Sequence, residues 1–103
     1  MIRIQVIERG NVGLLGVIKK DIRAGALRTL VLGDGGRRLT HKRYKGSIRC
    51  TQKKGLLSCV IGSRSDGQEW RLLSSFIGRL SGKYADRVQG VNIEFPEIGR
   101  KKR

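Results

Sequence analysis

The 103-residue chain carries 23 Lys and Arg residues against eight Asp and Glu, which gives a net charge of +15. The length predicts one domain, and 38% hydrophobic with 30% charged residues is a globular composition. No apolar run approaches the roughly 18 residues of a membrane span, and the first residues lack the apolar region of a signal peptide. We therefore expect a cytoplasmic protein.

The first segments show two kinds of hydrophobic pattern. Ile2, Ile4 and Val6 alternate with polar residues, which predicts a strand with one buried face. Val12–Ile18 is apolar at odd and even positions alike, which predicts a strand that is either central or at an edge that meets another chain. We expect Lys19–Gly25 to be a polar connection with at most one helical turn.

The next segments combine a strand, a turn and a basic stretch. Leu27–Leu32 is predicted as a strand, and Gly33–Gly36 as a tight turn, because glycine and Asp tolerate positive φ. Arg37–Lys45 has no apolar face, since Leu39 and Tyr44 would lie on opposite sides of a pleat. It is predicted to be an edge strand or an exposed loop.

A hairpin is the clearest local prediction. Ser47–Lys53 and Leu56–Ile61 are predicted strands, joined near Lys54 and Gly55. A two-residue loop would place Ile48 opposite Ile61, Cys50 opposite Cys59 and Gln52 opposite Leu57. A three-residue loop would shift this register by one residue. With the two-residue loop, the outward face of the first strand consists of Arg49, Thr51 and Lys53.

Asp66–Gly82 is the only segment whose apolar residues repeat with a helical period, which predicts an amphipathic helix. The apolar positions are Trp70, Leu73, Ile77, Leu80 and Tyr84, widened by Leu72 and Phe76. Trp70 belongs to this stripe, so we assign it to the core and treat a base-stacking role as the alternative.

Two further features of the predicted helix concern its start and one of its sides. Asp66 and Glu69 have the spacing of a capping box, which predicts where the helix begins. Ser74, Gly78 and Gly82 recur every four residues, so another backbone could approach that side closely.

The last predicted strand contains Val91, Ile93 and Phe95 in alternation with polar residues and ends at Pro96. Before it, Lys83–Gln89 either continues the helix or unwinds. The predicted fold class is α+β: a mainly antiparallel sheet of about five to seven short strands, one amphipathic helix packed on one face, and a C-terminal strand after it.

The positive charge is unevenly distributed. Nine Lys or Arg residues and no acidic residue lie between Asp34 and Asp66, and Arg100–Arg103 adds four. The rest of the chain contains ten basic and eight acidic residues, so it is nearly neutral. We expect residues 1–98 to form the globular domain and residues 99–103 a basic tail.

The basic stretch is the candidate nucleic-acid-binding surface. Tyr44 lies between Arg43 and Lys45, and an aromatic ring among cations is typical of proteins that bind single strands. A solvated basic face is the alternative. The candidate contact residues are Arg37, Arg38, Lys42, Arg43, Tyr44, Lys45, Arg49, Lys53, Lys54, Arg100, Lys101, Lys102 and Arg103.

Other chemistry is poorly supported. Cys50 and Cys59 lack the further ligands of a zinc site, and we expect two reduced, buried thiols, with a cross-strand disulfide as the alternative. His41 is the only imidazole, its cationic neighbours lower its pKa, and it is expected to face solvent or phosphate. The sequence predicts no metal site, cofactor or catalytic residue.

Together these features predict a small non-catalytic protein that binds nucleic acid. RNA or single-stranded DNA is preferred over duplex, because the sequence offers no separate recognition helix. The alternative is a protein-interaction or assembly module, which binds an acidic partner or forms a homo-oligomer through Val12–Ile18 or the Ser74 side of the helix. No membrane partner is expected.

Overall fold

A six-stranded antiparallel sheet with two helices on one face forms the fold, so the predicted α+β class is confirmed. The computed structural model describes residues 1–63 and 68–95. The strands lie in the order β2-β3-β4-β5-β1-β6. The elements are β1 (Ile2–Glu8), α1 (Leu14–Arg23), β2 (Leu30–Gly33), β3 (Arg38–His41), β4 (Ser47–Lys53), β5 (Leu56–Gly62), α2 (Gln68–Lys83) and β6 (Val88–Glu94).

One face of the sheet forms the core and the other is open among the described residues. Ile4, Val6, Leu57 and Ile61 are fully buried beneath the helices and belong to one continuous hydrophobic cluster. On these strands the residues between them point to the opposite face and are exposed or half-buried. This alternation is what one-sided burial of an antiparallel sheet requires.

The predicted hairpin is confirmed with its two-residue loop. Ile48 pairs with Ile61, and Cys50 pairs with Cys59. The pairing follows because the apolar residues of both strands must share one face, and a slip of one residue would expose all of them. The outward-facing residues Arg49, Thr51 and Lys53 are exposed, as expected.

The prediction for Val12–Ile18 is wrong, because α1 starts at Leu14 and continues to Arg23. Leu14, Leu15 and Ile18 are buried on the sheet, and Ile22 one turn later is half-buried. This spacing of three and four residues is helical, and it extends into the segment that we expected to be a polar connection.

The start of α1 is capped from elsewhere in the chain. Gly13 occupies the N-cap position with a left-handed backbone and has no side chain to accept a hydrogen bond. Instead, the buried carboxylate of Glu8 accepts hydrogen bonds from the amides of Val12 at 3.2 Å, Gly13 at 3.1 Å and Leu14 at 2.9 Å. Free amides at a helix start otherwise lack partners.

Gln52, on β4, completes this cap. Its side-chain amide donates to Glu8 at 2.8 Å, and its side-chain oxygen accepts from the amide of Leu15 at 2.9 Å. Burial acts to raise the pKa of Glu8, but the hydrogen bonds from Leu14, Gln52, Gly13 and Val12 outweigh it, so the pKa lies below its ordinary value. The anionic form is therefore the one that the fold stabilises.

The basic stretch contains an interior strand, so our expectation of an edge strand or a loop is wrong for residues 38–41. β3 pairs with β2 on one side and β4 on the other, and Leu39 is fully buried. The preceding β2 starts at Leu30, later than predicted. The turn between them is confirmed, with positive φ at Asp34, Gly35 and Gly36.

The position of Trp70 differs from the prediction. Leu72, Leu73, Phe76 and Leu80 of α2 are buried, as is Tyr84 directly after the helix, whereas Trp70 is 54% exposed. At about 100° per residue, Trp70 and Ile77 lie roughly a quarter-turn from the centre of the buried stripe. Ser74, Gly78 and Gly82 are exposed, and no described residue approaches either glycine within 4 Å of where a Cβ would lie.

The end of α2 and the last strand complete the sheet. α2 ends at Lys83, and one turn of 3-10 helix leads into β6, which pairs with β1. Tyr84 donates a hydrogen bond of 2.7 Å to Asp21 and thereby joins α2 to α1. The predicted roles of Asp66 and Pro96 and the basic tail lie outside the described residues. Neither helix in the described part of the chain is long and apolar enough to cross a membrane.

Candidate functional site

An open cleft of about 770 Å³ separates the β3–β4 loop from the first half of α2. The loop, residues 42–46, forms one wall, and the exposed side of α2 forms the other. The residues that line the cleft are Thr29, His41, Lys42, Arg43, Tyr44, Trp70, Arg71, Ser74, Ser75 and Arg79. Aromatic rings and cations predominate among them.

The rings are arranged around one guanidinium group. The guanidinium carbon of Arg71 lies 5.1 Å from the ring centroid of Trp70 and 5.9 Å from that of Tyr44. Tyr44 in turn stacks on His41, with centroids 4.6 Å apart and ring planes 28° apart. In cation–π contacts of this kind, the positive charge is attracted to the electron-rich face of the ring. The cleft therefore groups planar side chains from both of its walls.

The electrostatic character of the cleft is strongly positive. Lys42, Arg43, Arg71 and Arg79 line it, and none of its described lining residues is acidic. Arg79 makes a long hydrogen bond of 3.4 Å to the hydroxyl of Thr29. Clustered cations without counterions attract anions and raise their local concentration.

His41 contributes a neutral ring. Its Nδ1 accepts a hydrogen bond of 3.0 Å from the backbone amide of Arg43, which places the proton of the neutral ring on Nε2. Partial burial, and then the charges of Arg43 and Arg79, lower its pKa below the ordinary value. Near neutral pH it supports Tyr44 as an uncharged stacking partner, which agrees with the expected direction of its pKa shift.

At Gly46, the β3–β4 loop packs so closely against β5 and α2 that there is no room for a side chain. The φ of Gly46 is +113°, and a Cβ there would lie 2.5 Å from the carbonyl oxygen of Gly62 and 2.9 Å from Leu72. At the other end of the loop, the amide of Lys42 donates to the carbonyl of Thr29 at 2.9 Å. The wall that carries Tyr44 is therefore fixed at both ends.

The structure divides the candidate residues between different surfaces. Lys42, Arg43 and Tyr44 line the cleft, on the same side of the sheet as the helices. A second group projects from the open face or its border: Arg38, Lys45, Arg49 and Lys53. Arg37 and Lys54 are exposed and line neither surface, and the residues Arg100, Lys101, Lys102 and Arg103 lie outside the described residues.

The sequence prediction missed the contribution of α2. Trp70 was assigned to the core, and Arg71 and Arg79 were not among the candidate contacts. A helical projection centred on Leu72, Phe76 and Leu80 would have placed Trp70 at the border of the apolar stripe. Its contact with Tyr44 through Arg71 depends on tertiary packing, for which the sequence contains no local signal.

The two cysteines belong to the core. Both are free and buried, as predicted, with Sγ atoms 3.5 Å apart. The contact with Cys50 and burial both raise the pKa of Cys59, which keeps this thiol protonated. Within the described residues, no group of His, Cys, Asp and Glu has the arrangement of a metal site.

Comparisons with protein-family models, curated proteins and solved structures find no match for this chain. The function is therefore inferred from the side chains that line the cleft and the sheet.

Proposed function

We propose that this protein binds single-stranded nucleic acid, RNA or DNA, without catalysis, and that unpaired bases stack in the cleft. The observation that carries this proposal is the placement of Arg71 between Trp70 and Tyr44. Proteins that bind single strands combine such rings, on which bases stack, with cations that contact the phosphates.

The cations of the cleft are available to contact the phosphates of the bound strand. Lys42, Arg43, Arg71 and Arg79 have no acidic neighbour among the described lining residues. If each contacts one phosphate, the slope of log K against log salt is about −3, at roughly 0.7 per contact for a single strand. A solvated basic face does not need exposed rings beside its charges.

The shape of the cleft favours unpaired bases over a duplex. Trp70 is 54% exposed on one wall, and Tyr44 is half-buried on the other, where its ring contacts Arg71 and His41. An unpaired base can stack on the exposed parts of these rings, whereas duplex bases have their faces covered by neighbouring bases. Ser74 and Ser75 of α2 line the same cleft, and their hydroxyl groups can form hydrogen bonds with base edges or sugars. We propose no preference between RNA and DNA.

The test is binding of labelled oligouridylate and oligothymidylate by fluorescence anisotropy at fixed salt. Trp70→Ala and Tyr44→Ala are each expected to weaken binding by about 1 to 3 kcal/mol, with the salt slope nearly unchanged. Phe95→Ala is the matched control, because Phe95 is exposed but does not line the cleft. It should bind as the parent does.

The stability of these variants must be measured in parallel. Because Trp70 lies at the surface, Trp70→Ala should change the free energy of unfolding by only about 0.5 kcal/mol. Equal binding by the parent and both cleft variants would reject the proposal.

Assembly through β6 is the second candidate function. β6 is an edge strand, and Val91 and Phe95 are exposed, at 37% and 63%. Exposed apolar residues along an unpaired edge favour pairing with another chain. If this candidate is correct, Phe95→Ala lowers the oligomeric state measured by sedimentation and Trp70→Ala does not.

A further inference from the structure

A second positively charged groove lies behind the β3–β4 loop, toward the open face of the sheet. Its volume is about 540 Å³. Arg38, Thr40, Lys45, Gly46 and Ser47 line it, together with residues at the end of β5. None of its described lining residues is acidic.

The groove and the cleft share one wall. Lys42, Arg43 and Tyr44 face the cleft, whereas Lys45 and Ser47, which follow directly, face the groove. The Cα atoms of Tyr44 and Ser47 are at most about 11 Å apart, since consecutive Cα atoms are about 3.8 Å apart. A strand that leaves the cleft over this loop therefore reaches the groove within a few nucleotides.

Arg38 is a fixed cation in this groove. Its guanidinium packs over Gly33, with Nη2 3.3 Å from where a Cβ of that glycine would lie. It is half-buried, and its Nε is buried without a hydrogen-bond partner among the described residues. No carboxylate of the described residues forms an ion pair with it, and a guanidinium held in one position in this way suits the binding of a phosphate oxygen.

The cross-strand positions of Arg38 and Arg49 also favour the binding of an anion. These two residues lie directly opposite each other on β3 and β4 and project to the same open face. Like charges at such positions are destabilising, and the exposed ion pair of Arg49 with Asp34, at 3.1 Å, compensates only slightly. A bound phosphate would relieve this repulsion.

Positive charge is unevenly distributed over the open face of the sheet. On its far side Arg3 lies opposite Glu94, and Gln5 lies opposite Asn92, so that part carries little net charge. Among the described residues of this face, the positive residues without an acidic residue opposite them lie on β3, β4 and the loop between them. A strand on this face is therefore expected to follow β3 and β4.

From these observations we infer that the bound strand continues from the cleft across the β3–β4 loop, and that its phosphates bind in the groove formed by Arg38, Thr40, Lys45 and Ser47. This inference rests on the proposed function of the cleft. It assigns to the groove the phosphates of the nucleotides that lie beyond those held in the cleft.

Oligonucleotides of two lengths distinguish binding in the cleft from binding in the groove. An oligouridylate of about four nucleotides should occupy the cleft alone, whereas one of about twelve should reach both surfaces. The parent should bind the longer strand more tightly and with a steeper salt dependence. Contacts with Arg38, Lys45 and Arg49 would increase the magnitude of the slope by about 2.

The decisive variants remove the charges of the groove. Arg38→Gln with Lys45→Gln should reduce the slope for the longer strand by about 1.4 while binding of the short strand stays within about twofold of the parent. Lys45→Gln alone should reduce it by about 0.7, which covers the case in which the double variant does not fold. Arg3→Gln, also on the open face, is the matched control and should have no effect.

The outcomes distinguish the inference from the proposed function. The inference is wrong if the longer oligouridylate binds the parent no more tightly than the short one. It is also wrong if the variant without the charges of Arg38 and Lys45 still binds the longer strand as tightly as the parent does. In both cases the cleft proposal is unaffected. If Trp70→Ala binds both lengths as the parent does, the cleft proposal itself is wrong.

Discussion

The start of α1 and the cleft beside α2 use polar groups in opposite ways. At α1, the carboxylate of Glu8 and the amide of Gln52 are enclosed and their hydrogen bonds join β1, β4 and the helix. In the cleft, Arg71 is exposed, and its guanidinium lies over the rings of Trp70 and Tyr44. Charges that are fully partnered inside the fold stabilise it, whereas charges left at the surface without counterions remain available to a ligand.

Glu8→Gln should have the largest effect on stability and none on binding. It should lower the free energy of unfolding by about 2 to 3 kcal/mol near neutral pH, because a charged acceptor of several hydrogen bonds is lost and an amide donor then faces backbone amides. Urea denaturation measures the loss, and anisotropy with oligouridylate measures binding.

The effect of Glu8→Gln should depend on pH. The folded-state pKa of Glu8 is lowered, so its contribution is complete above the unfolded-state pKa and is lost as the pH falls through the folded-state pKa. The difference between parent and variant should therefore shrink below about pH 4. Glu94→Gln, at an exposed carboxylate, is the control. An equal difference at pH 3 and pH 7 would contradict the role assigned to the carboxylate.

Gly46→Ala should affect both stability and binding. The left-handed backbone and the close approach of Gly62 predict a loss of about 1 to 3 kcal/mol, together with displacement of the loop that carries Tyr44. Thermal unfolding and oligonucleotide affinity should therefore both decrease. A variant with parent affinity despite lower stability would show that binding does not depend on this loop.

Gly78→Ala should have the smallest effect, and it should be stabilising. The position is helical and exposed, and no described residue lies within 4 Å of the added Cβ, so alanine should add about 0.5 to 1 kcal/mol. Binding should not change. Loss of stability, or a change in oligomeric state, would indicate that this side of α2 is buried against another chain.

The parts of the fold that were predicted correctly are those with local signals. Lys54 and Gly55 form the predicted turn, and the alternation of the flanking strands then determines their register. α1 was missed because its cap comes from Glu8 and Gln52 rather than from a residue at its own N-terminus. Without a local cap, an apolar run of this length is ambiguous between helix and strand.

The candidate site was predicted only in part, because it depends on long-range packing. Tyr44 was identified from its basic neighbours, which are adjacent in sequence. Its partners Trp70 and Arg71 come from another element, and the helical pattern alone assigned Trp70 to the core. The division of the basic residues between two faces follows from the alternation of side chains along β3 and β4 and from the loop between these strands. The interior position of β3 is not indicated by its few apolar residues.

The strand order also sets the sequence of folding events. β2, β3, β4 and β5 pair with neighbours along the chain, so their hairpins can close early. β1 must then find β5 across some 50 residues, and β6, within the described sheet, pairs with β1, 80 or more residues away. Long loop closures are slow, so the β1–β6 ladder should form last. During synthesis on the ribosome, β1 stays without either neighbour until β5 has been made.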